Sequence, residues 1–419
     1  MDRLRIIGGR ALNGAVTITG AKNASLPQIA ASILSPEPLT LTNLPAVTDV
    51  STMLDVIARH GVGISRLSNH SLTLDAGAAE PVETGYDTVR RMRATILLLG
   101  PIMARFGRAR VSLPGGCAIG ARPVDLHLKA LASLGATIGI EGGMIVGEAP
   151  GGLKGGRIVL GSPSVGATET AMMAATTATG ETEIVNAARE PEVVDLAACL
   201  MAMGAQIEGA GTHRLLIAGK TSWKSARHEV IPDRIEAGTY AIAAAITGGQ
   251  LELTHARLEH LSAIAQVLEA VGVSLWPGDR GLMVSASGPL RGVDITTEPY
   301  PGFPTDLQAQ FMALMCRAEG ASMIRETVFE NRFMHAPELM RLGANITLQG
   351  TSALVRGGTP LRGAQVMATD LRASVCLVLA ALAAEGETII NRVYHLDRGY
   401  EQLDLKLKRC GAQIERLKD

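Results

Sequence analysis

Aromatic residues are scarce in this chain. Five Phe, 5 Tyr and 2 Trp make up 3% of 419 residues, too few for the stacking platforms on which proteins hold single-stranded nucleic acid. Excess charge is also missing. With 39 basic and 40 acidic residues the net charge is -1, which leaves no electrostatic footprint for bulk nucleic-acid binding. Five cysteines, an odd number without paired spacing, argue against a disulfide framework and for a reducing, cytoplasmic compartment. No apolar run reaches membrane-spanning length without a charge or a glycine break, and Met1 to Arg10 hold no apolar signal core. The nine histidines form no metal-ligand spacing such as H-E-x-x-H. The glycine-rich segment GEAPGGLKGG lacks the G-K-[ST] ending of a phosphate loop and reads as a hairpin turn. The expectation is a cytoplasmic protein that uses no metal and binds neither membrane nor nucleic acid.

What the chain does have is apolar material, 47% of its residues, and a length that predicts two or three domains. It also repeats itself. A helix ending in Gly-Ala or Gly-Val and running straight into a strand recurs as HGVGISRL, LGATIGIE, MGAQIEGA, VGVSLWPG, LGANITLQ and CGAQIERL. The glycines are Gly61, Gly135, Gly204, Gly272, Gly343 and Gly411, so the intervals are 74, 69, 68, 71 and 68 residues. Such a glycine suits the left-handed position that closes a helix. A second marker keeps the same period: an alanine-rich helix, a turn, then a short strand, as in ATTATGETEIV and AALAAEGETII. Each copy therefore reads helix, strand, helix, strand, strand, a supersecondary unit longer than a solenoid repeat. The sixth copy stops early, and the opening LRIIGGRALNGAVTITG reads as two strands that complete it. Six copies predict an α/β protein of two domains, three copies each. The expected domains are residues 1–21 with 230–419, and residues 22–229, with a cleft between the halves.

One loop stands apart. Leu113 to Pro123 reads LPGGCAIGARP, too rich in glycine and proline for regular structure. Cys117 in its middle has no apolar neighbours at helical spacing, whereas Cys199, Cys316, Cys376 and Cys410 lie in or beside apolar helical runs. With Arg122 five residues on, the segment reads either as a plain surface loop or as a thiol held beside an anion-binding guanidinium.

Aligning the copies puts the start of each first helix in register: GAKNASLP, RRMRATIL, PSVGATET, PDRIEAGT, FPTDLQAQ and TDLRASVC. Unpaired N–H groups and the helix dipole make such starts suited to anions. Lys22, Arg93 and Arg372 add full positive charge there, as solvated first-turn residues or as ligands of an anionic substrate. Asp306 has two readings as well, a first-turn acid that stabilises its helix or a base aimed into the cleft. Glu190 and Glu192 in AREPEV favour a capping or ion-pair role. Arg398, in the polar cluster HLDRGYE, is a further candidate anion ligand.

The segments GAKNA, MRAT, LPGGCAIGARPVDLHL, SVGAT, AREPEVVD, PDRIEAGTY, FPTDLQAQF, ETVFENRFMH, QVMATDLRAS and HLDRGYE together resemble the UDP-N-acetylglucosamine 1-carboxyvinyltransferases of the enolpyruvyl transferase family. The resemblance implies two inside-out α/β domains, each of three repeated units with helices inside and sheets outside. It implies transfer of the enolpyruvyl group of phosphoenolpyruvate to the 3-hydroxyl of UDP-N-acetylglucosamine, by addition and elimination, with release of phosphate and no metal or organic cofactor. That is the first committed step of peptidoglycan synthesis. The resemblance further implies that Lys22, Asn23, Arg122 and Arg398 bind phosphoenolpyruvate. Cys117 is then the acid that protonates it and the residue that forms a covalent phospholactoyl thioether. Asp306 takes the proton of the attacking hydroxyl. Arg93, the run Arg122, Pro123, Val124, Asp125 and Leu126, the run Ser162, Pro163, Ser164 and Val165, and Asp306 and Val328 hold the nucleotide sugar. The chain departs from the family pattern at Thr48, where many relatives carry lysine, and at Ser162, where some do. A sister enzyme of the same family, which makes enolpyruvylshikimate phosphate, lacks the PGGCAIGARP loop.

Overall fold

The computed structural model describes residues 2–89, 92–114, 124–219 and 221–418. The six glycines of the repeat all adopt left-handed backbone, with φ between 85° and 116°. At Gly272 the helix Ser262–Val271 stops and the strand Ser274–Pro277 begins two residues on, a reversal that a side chain at this φ would strain.

Among the described residues there is one sheet for each copy, five of four strands and one of three. In the fifth copy Ile295–Thr296 runs parallel to Ala321–Arg325, Ala321–Arg325 is antiparallel to Ser352–Arg356, and Ser352–Arg356 is antiparallel to Asn345–Gln349. Inner strands such as Ser352–Arg356 and Ser71–Asp75 alternate buried and open residues, so each sheet covers the core with one face.

The chain divides into two compact units. A split unit holds residues 2–19 and 232–418, and a continuous unit holds the described residues of 20–231. In the split unit the helices Arg234–Thr247, Gln308–Arg317 and Leu371–Ala383 pack on one another. Every residue from Leu371 to Leu382 is buried, as is every residue from Ile235 to Ile246. A helix without a polar face must be enclosed on all sides, which is why these lie inside and the sheets lie outside. Burial of each of Val375, Leu377 and Leu379 is worth about 1.5–3 kcal/mol. In the continuous unit Leu99–Phe106 packs on Val165–Ala175 and on the Ser32–Leu34 turn that extends the helix Lys22–Ala31. The second helix of the first copy differs. Thr48–Arg59 buries Val50, Met53, Leu54 and Ile57 and leaves Ser51, Asp55 and Arg59 exposed, so it packs on the helix Lys22–Ala31 with its other face in solvent.

The opening strands do not both complete the sixth copy. Arg3–Ile7 does, lying antiparallel between Glu387–Asn391 and Gln413–Leu417. Asn13–Thr17 instead runs parallel to Gln250–Thr254 in the fourth copy. That copy has no first strand of its own, because the segment before its helix, Ala226–Glu229, pairs with Leu39–Thr42 of the first copy. Each unit thus closes on itself: Ala226–Glu229 returns to the sheet of the first copy in the continuous unit, and Asn13–Thr17 completes the sheet of the fourth copy in the split unit. No helix among the described residues is long and apolar enough to cross a membrane.

Candidate active site

The aligned helix starts are real helix starts. Helices begin at Lys22, Val165, Arg234 and Leu371, while the second and fifth copies open with the tighter turns Arg93–Leu98 and Thr305–Leu307.

In the continuous unit, Lys22 is the first residue of its helix and Nζ donates to Asp49 Oδ2 at 3.1 Å, with both side chains largely buried. Asn23 follows it, half-buried. Arg93 opens its turn, and that turn packs on the Lys22 helix. Val124 precedes the helix Asp125–Ser133, which begins Asp125, Leu126 and carries His127 on its buried side. His127 Nδ1 lies 2.9 Å from the Thr170 hydroxyl. A Cβ at Gly166 would sit 3.0 Å from the His127 ring, so glycine there lets the two helices meet. Burial, with the Arg93 charge nearby, lowers His127 to about 4, which keeps the ring neutral at physiological pH. His127 therefore brings Val124, Asp125 and Leu126 to the start of the Val165–Ala175 helix, where Ser164 caps Ala167 N–H and Ser162 and Pro163 are exposed. Asp125 forms an open ion pair with Lys129. Thr48 is exposed at the first turn of the helix that carries Asp49. Cys117, Arg122 and Pro123 lie outside the described residues.

In the split unit, Asp306 sits between two arginines. Arg332 Nη2 donates to Oδ1 at 2.6 Å and Arg372 Nη2 to Oδ2 at 2.9 Å. The guanidinium side chains are 7% and 9% exposed, while the carboxylate is 25% exposed. Burial pushes the Asp306 carboxyl up, but Arg372 and Arg332 outweigh it and hold the group well below the usual carboxylate range. Arg372 Nη1 also donates to the buried Tyr400 hydroxyl at 3.1 Å. The Arg372 charge is thus committed to Asp306, a use that neither reading of its helix-start position included. Val328 is half-buried, and its N–H donates to Glu326. Arg398 closes the turn Val393–Arg398, half-buried and packed on the Leu371–Ala383 helix. Its neighbour Asp397 is held bidentate by Arg416 at 2.8 and 2.9 Å, so that part of HLDRGYE is structural.

Glu190 is the residue before the helix Pro191–Ala202, yet its side chain makes no cap hydrogen bond. Glu190 and Glu192 instead surround Glu169. Burial and these two carboxylates raise Glu169 well above the ordinary range. A raised folded-state value means that Glu169 favours folding fully only below its unfolded value near 4.3, and that this contribution is lost as pH rises through the folded value. Glu169→Gln is accordingly expected to raise the melting temperature at pH 8, with the gain shrinking as pH falls and gone by about pH 4.3. Thermal melts of both proteins across that range measure it.

Reading the sequence missed Arg332. It stands in FENRF among other charges with no helical or strand period to single it out, and the signal would have been a lone arginine spaced to reach a helix-start acid. Among the described residues no three His, Cys, Asp or Glu side chains converge where they would hold a metal ion. The four described cysteines are free and buried. Burial pushes the Cys316 thiol up to about 12 and raises Cys199, Cys376 and Cys410 as well.

A sequence profile of the family described as EPSP synthase (3-phosphoshikimate 1-carboxyvinyltransferase) matches residues 6–407. The chain is 77% identical over 417 residues to UDP-N-acetylglucosamine 1-carboxyvinyltransferase 2 of Mesorhizobium japonicum, covering 100% of both chains. It is 57% identical to UDP-N-acetylglucosamine 1-carboxyvinyltransferase of Rhodospirillum centenum, again over 100% of both. Among solved structures, the enolpyruvyl transferase NikO of Streptomyces tendae superposes with a TM-score of 0.89 at 29% identity, covering 100% of this chain and 99% of that one. EPSP synthase of Acinetobacter baumannii shares the fold, with a TM-score of 0.79 at 19% identity over 100% of both chains.

Proposed function

The chain belongs to the enolpyruvyl transferase family, and from that premise we infer that it transfers the enolpyruvyl group of phosphoenolpyruvate to the 3-hydroxyl of UDP-N-acetylglucosamine. Inorganic phosphate is released, and the step opens peptidoglycan synthesis. The observation that carries this reading is the 77% identity, over the full length of both chains, to a protein of that name.

The residues divide by chemistry. Lys22, Arg122 and Arg398, with Asn23, neutralise the carboxylate and phosphate of phosphoenolpyruvate. Cys117 gives a proton to C3 while the sugar oxygen bonds to C2, and the hydroxyl proton passes to Asp306. The product is a tetrahedral phospho-ketal. Loss of a C3 proton and cleavage of the C2–O bond to phosphate then restore the double bond. Neither metal nor organic cofactor enters the scheme. Arg93, Arg122 to Leu126, Ser162 to Val165 and Val328 hold the nucleotide sugar. Exposed Thr48 and Ser162 offer no charge to its diphosphate, so Arg93 and Arg122 carry that role. Asp306 is ionised and a quarter open while its arginines are buried, which favours a carboxylate that accepts a proton from a bound hydroxyl. Because the two guanidinium groups make it a weak base, hydroxyl binding must loosen one of those pairs. The free thiols and the nucleotide-activated substrate fit a cytoplasmic enzyme.

The deciding assay is phosphate release from phosphoenolpyruvate with UDP-N-acetylglucosamine and, separately, with shikimate 3-phosphate. Release with the first acceptor alone is expected; release with only the second overturns the assignment. A companion prediction concerns the thiols. Fosfomycin, an epoxide that mimics phosphoenolpyruvate, is expected to alkylate Cys117 alone, fastest with UDP-N-acetylglucosamine bound. The raised values of the four buried cysteines leave almost no thiolate to compete. Mass spectrometry that finds the label on Cys199 or Cys316 removes Cys117 from its role.

A further inference from the structure

We propose that Glu326 is a positioning residue for this reaction, one buried carboxylate that sets both the turn carrying Asp306 and the backbone at Val328. The proposal rests on the roles given to those two residues above.

Glu326 follows the strand Ala321–Arg325 and is 1% exposed. Its Oε1 accepts from Val328 N–H at 2.8 Å, from Phe329 N–H at 3.0 Å and from the Thr297 hydroxyl at 2.8 Å. Its Oε2 accepts from the Thr305 hydroxyl at 2.8 Å. The direction of each hydroxyl bond is fixed from its far side. Thr305 Oγ1 already receives Arg332 Nη1 at 2.8 Å, and Thr297 Oγ1 already receives Thr327 N–H at 3.0 Å, so each gives its own hydrogen to Glu326. All four partners are therefore donors, and the site accepts only an acceptor-only group.

The consequence is geometric. Through Thr305, Glu326 fixes the residue immediately before Asp306 and the guanidinium of Arg332, whose other nitrogen holds Asp306 Oδ1. Through two backbone N–H groups it fixes the loop at Val328 and Phe329. The base and the loop assigned to the sugar thus share one anchor. A hydroxyl held by the loop arrives at a carboxylate whose place is set by the same group, and small errors in such placement are amplified into large losses of rate.

The test compares full-length wild type, Glu326→Gln, Glu326→Asp and Thr305→Val in the phosphate-release assay, with KM for each substrate, a pH–rate profile and a thermal melt. Glu326→Gln puts an amide N–H₂ against donors. It is expected to lower kcat by about 100-fold, to raise KM for UDP-N-acetylglucosamine and to leave KM for phosphoenolpyruvate unchanged. Thr305→Val cuts only the link to the Asp306 turn. It is expected to lower kcat without changing either KM, and to move the acid limb of the profile upward as Arg332 loosens from Asp306. Glu326→Asp keeps a carboxylate and is expected to regain part of the lost rate. If Glu326→Gln does not fold, Thr305→Val decides alone. A folded Glu326→Gln with wild-type kcat, or with both KM values raised alike, overturns the proposal, as does a Thr305→Val protein with an unchanged profile. Wild type inactive on the substrate pair instead overturns the functional assignment, so the two failures are told apart.

Discussion

Asp306→Asn is expected to lower kcat with UDP-N-acetylglucosamine by roughly 10²–10⁴-fold, the usual contribution of a positioned acid or base. Asparagine keeps the size and one carbonyl oxygen of the side chain but has no affinity for a proton at neutral pH. KM for phosphoenolpyruvate should change little, because the ligands assigned to it are other residues. The same substitution strips the anion from two guanidinium groups that are 7% and 9% exposed. Leaving buried charge uncompensated is expected to cost about 3 kcal/mol. The pH dependence follows from the direction of the shift. Asp306 is held below its ordinary value, burial notwithstanding, by Arg372 and Arg332. Its contribution to stability is therefore present above the unfolded value near 3.9 and is lost as pH falls through the lower folded value. The difference in melting temperature between wild type and Asp306→Asn should be full at pH 7 and should shrink only in strong acid. A difference already gone at pH 6 contradicts the ion-paired picture.

The second large effect is on stability. Glu236 is buried in the split unit, with Oε1 2.6 Å from Lys406 Nζ and Oε2 accepting from both the N–H and the hydroxyl of Thr19 at 2.8 Å. Glu236→Ala leaves the Lys406 ammonium and the Thr19 N–H unmatched, and is expected to destabilise the protein by about 3–5 kcal/mol. For a unit of this size that is a drop of roughly 10 °C in melting temperature. The pair is nonetheless an expensive one: burial raises the Glu236 carboxyl despite the Lys406 charge beside it. A double replacement, Glu236→Gln with Lys406→Met, removes both charges and keeps an acceptor for Thr19. It should regain more than half of the loss, since exchanging a buried pair for neutral groups is far milder than orphaning one member. Calorimetry on the three proteins checks this. If the double variant is no more stable than Glu236→Ala, the loss comes from packing and not from the stranded ammonium.

The repeat was legible because its signal is local. Each of the six glycines ends a helix and starts a strand within a few residues, and all six take the left-handed backbone that such a junction needs. The buried first helices were legible for a similar reason, since Leu371–Ala383 has no polar face to offer water. What escaped was long-range. Nothing near Asn13–Thr17 says that it joins Gln250–Thr254 and not the sixth copy; that choice follows from where Ala226–Glu229 goes, more than two hundred residues on. The site divided in the same way. Lys22, Arg93 and Arg372 stand out as cations at helix starts, where the dipole opposes them. Arg332 and Glu326 read as ordinary charges in a loop and at a strand end, and only the fold shows that both turn inward to the Asp306 turn.

The strand Arg3–Ile7 is made long before its neighbours Glu387–Asn391 and Gln413–Leu417, which stand at the far end of the split unit. The continuous unit has every partner strand inside its own stretch and can assemble while translation proceeds. The split unit cannot close its sixth sheet until Gln413–Leu417 has been made. A nascent chain released early would carry one finished unit and an apolar strand with nowhere to go, so premature termination near residue 386 should yield aggregation-prone protein and not a stable fragment.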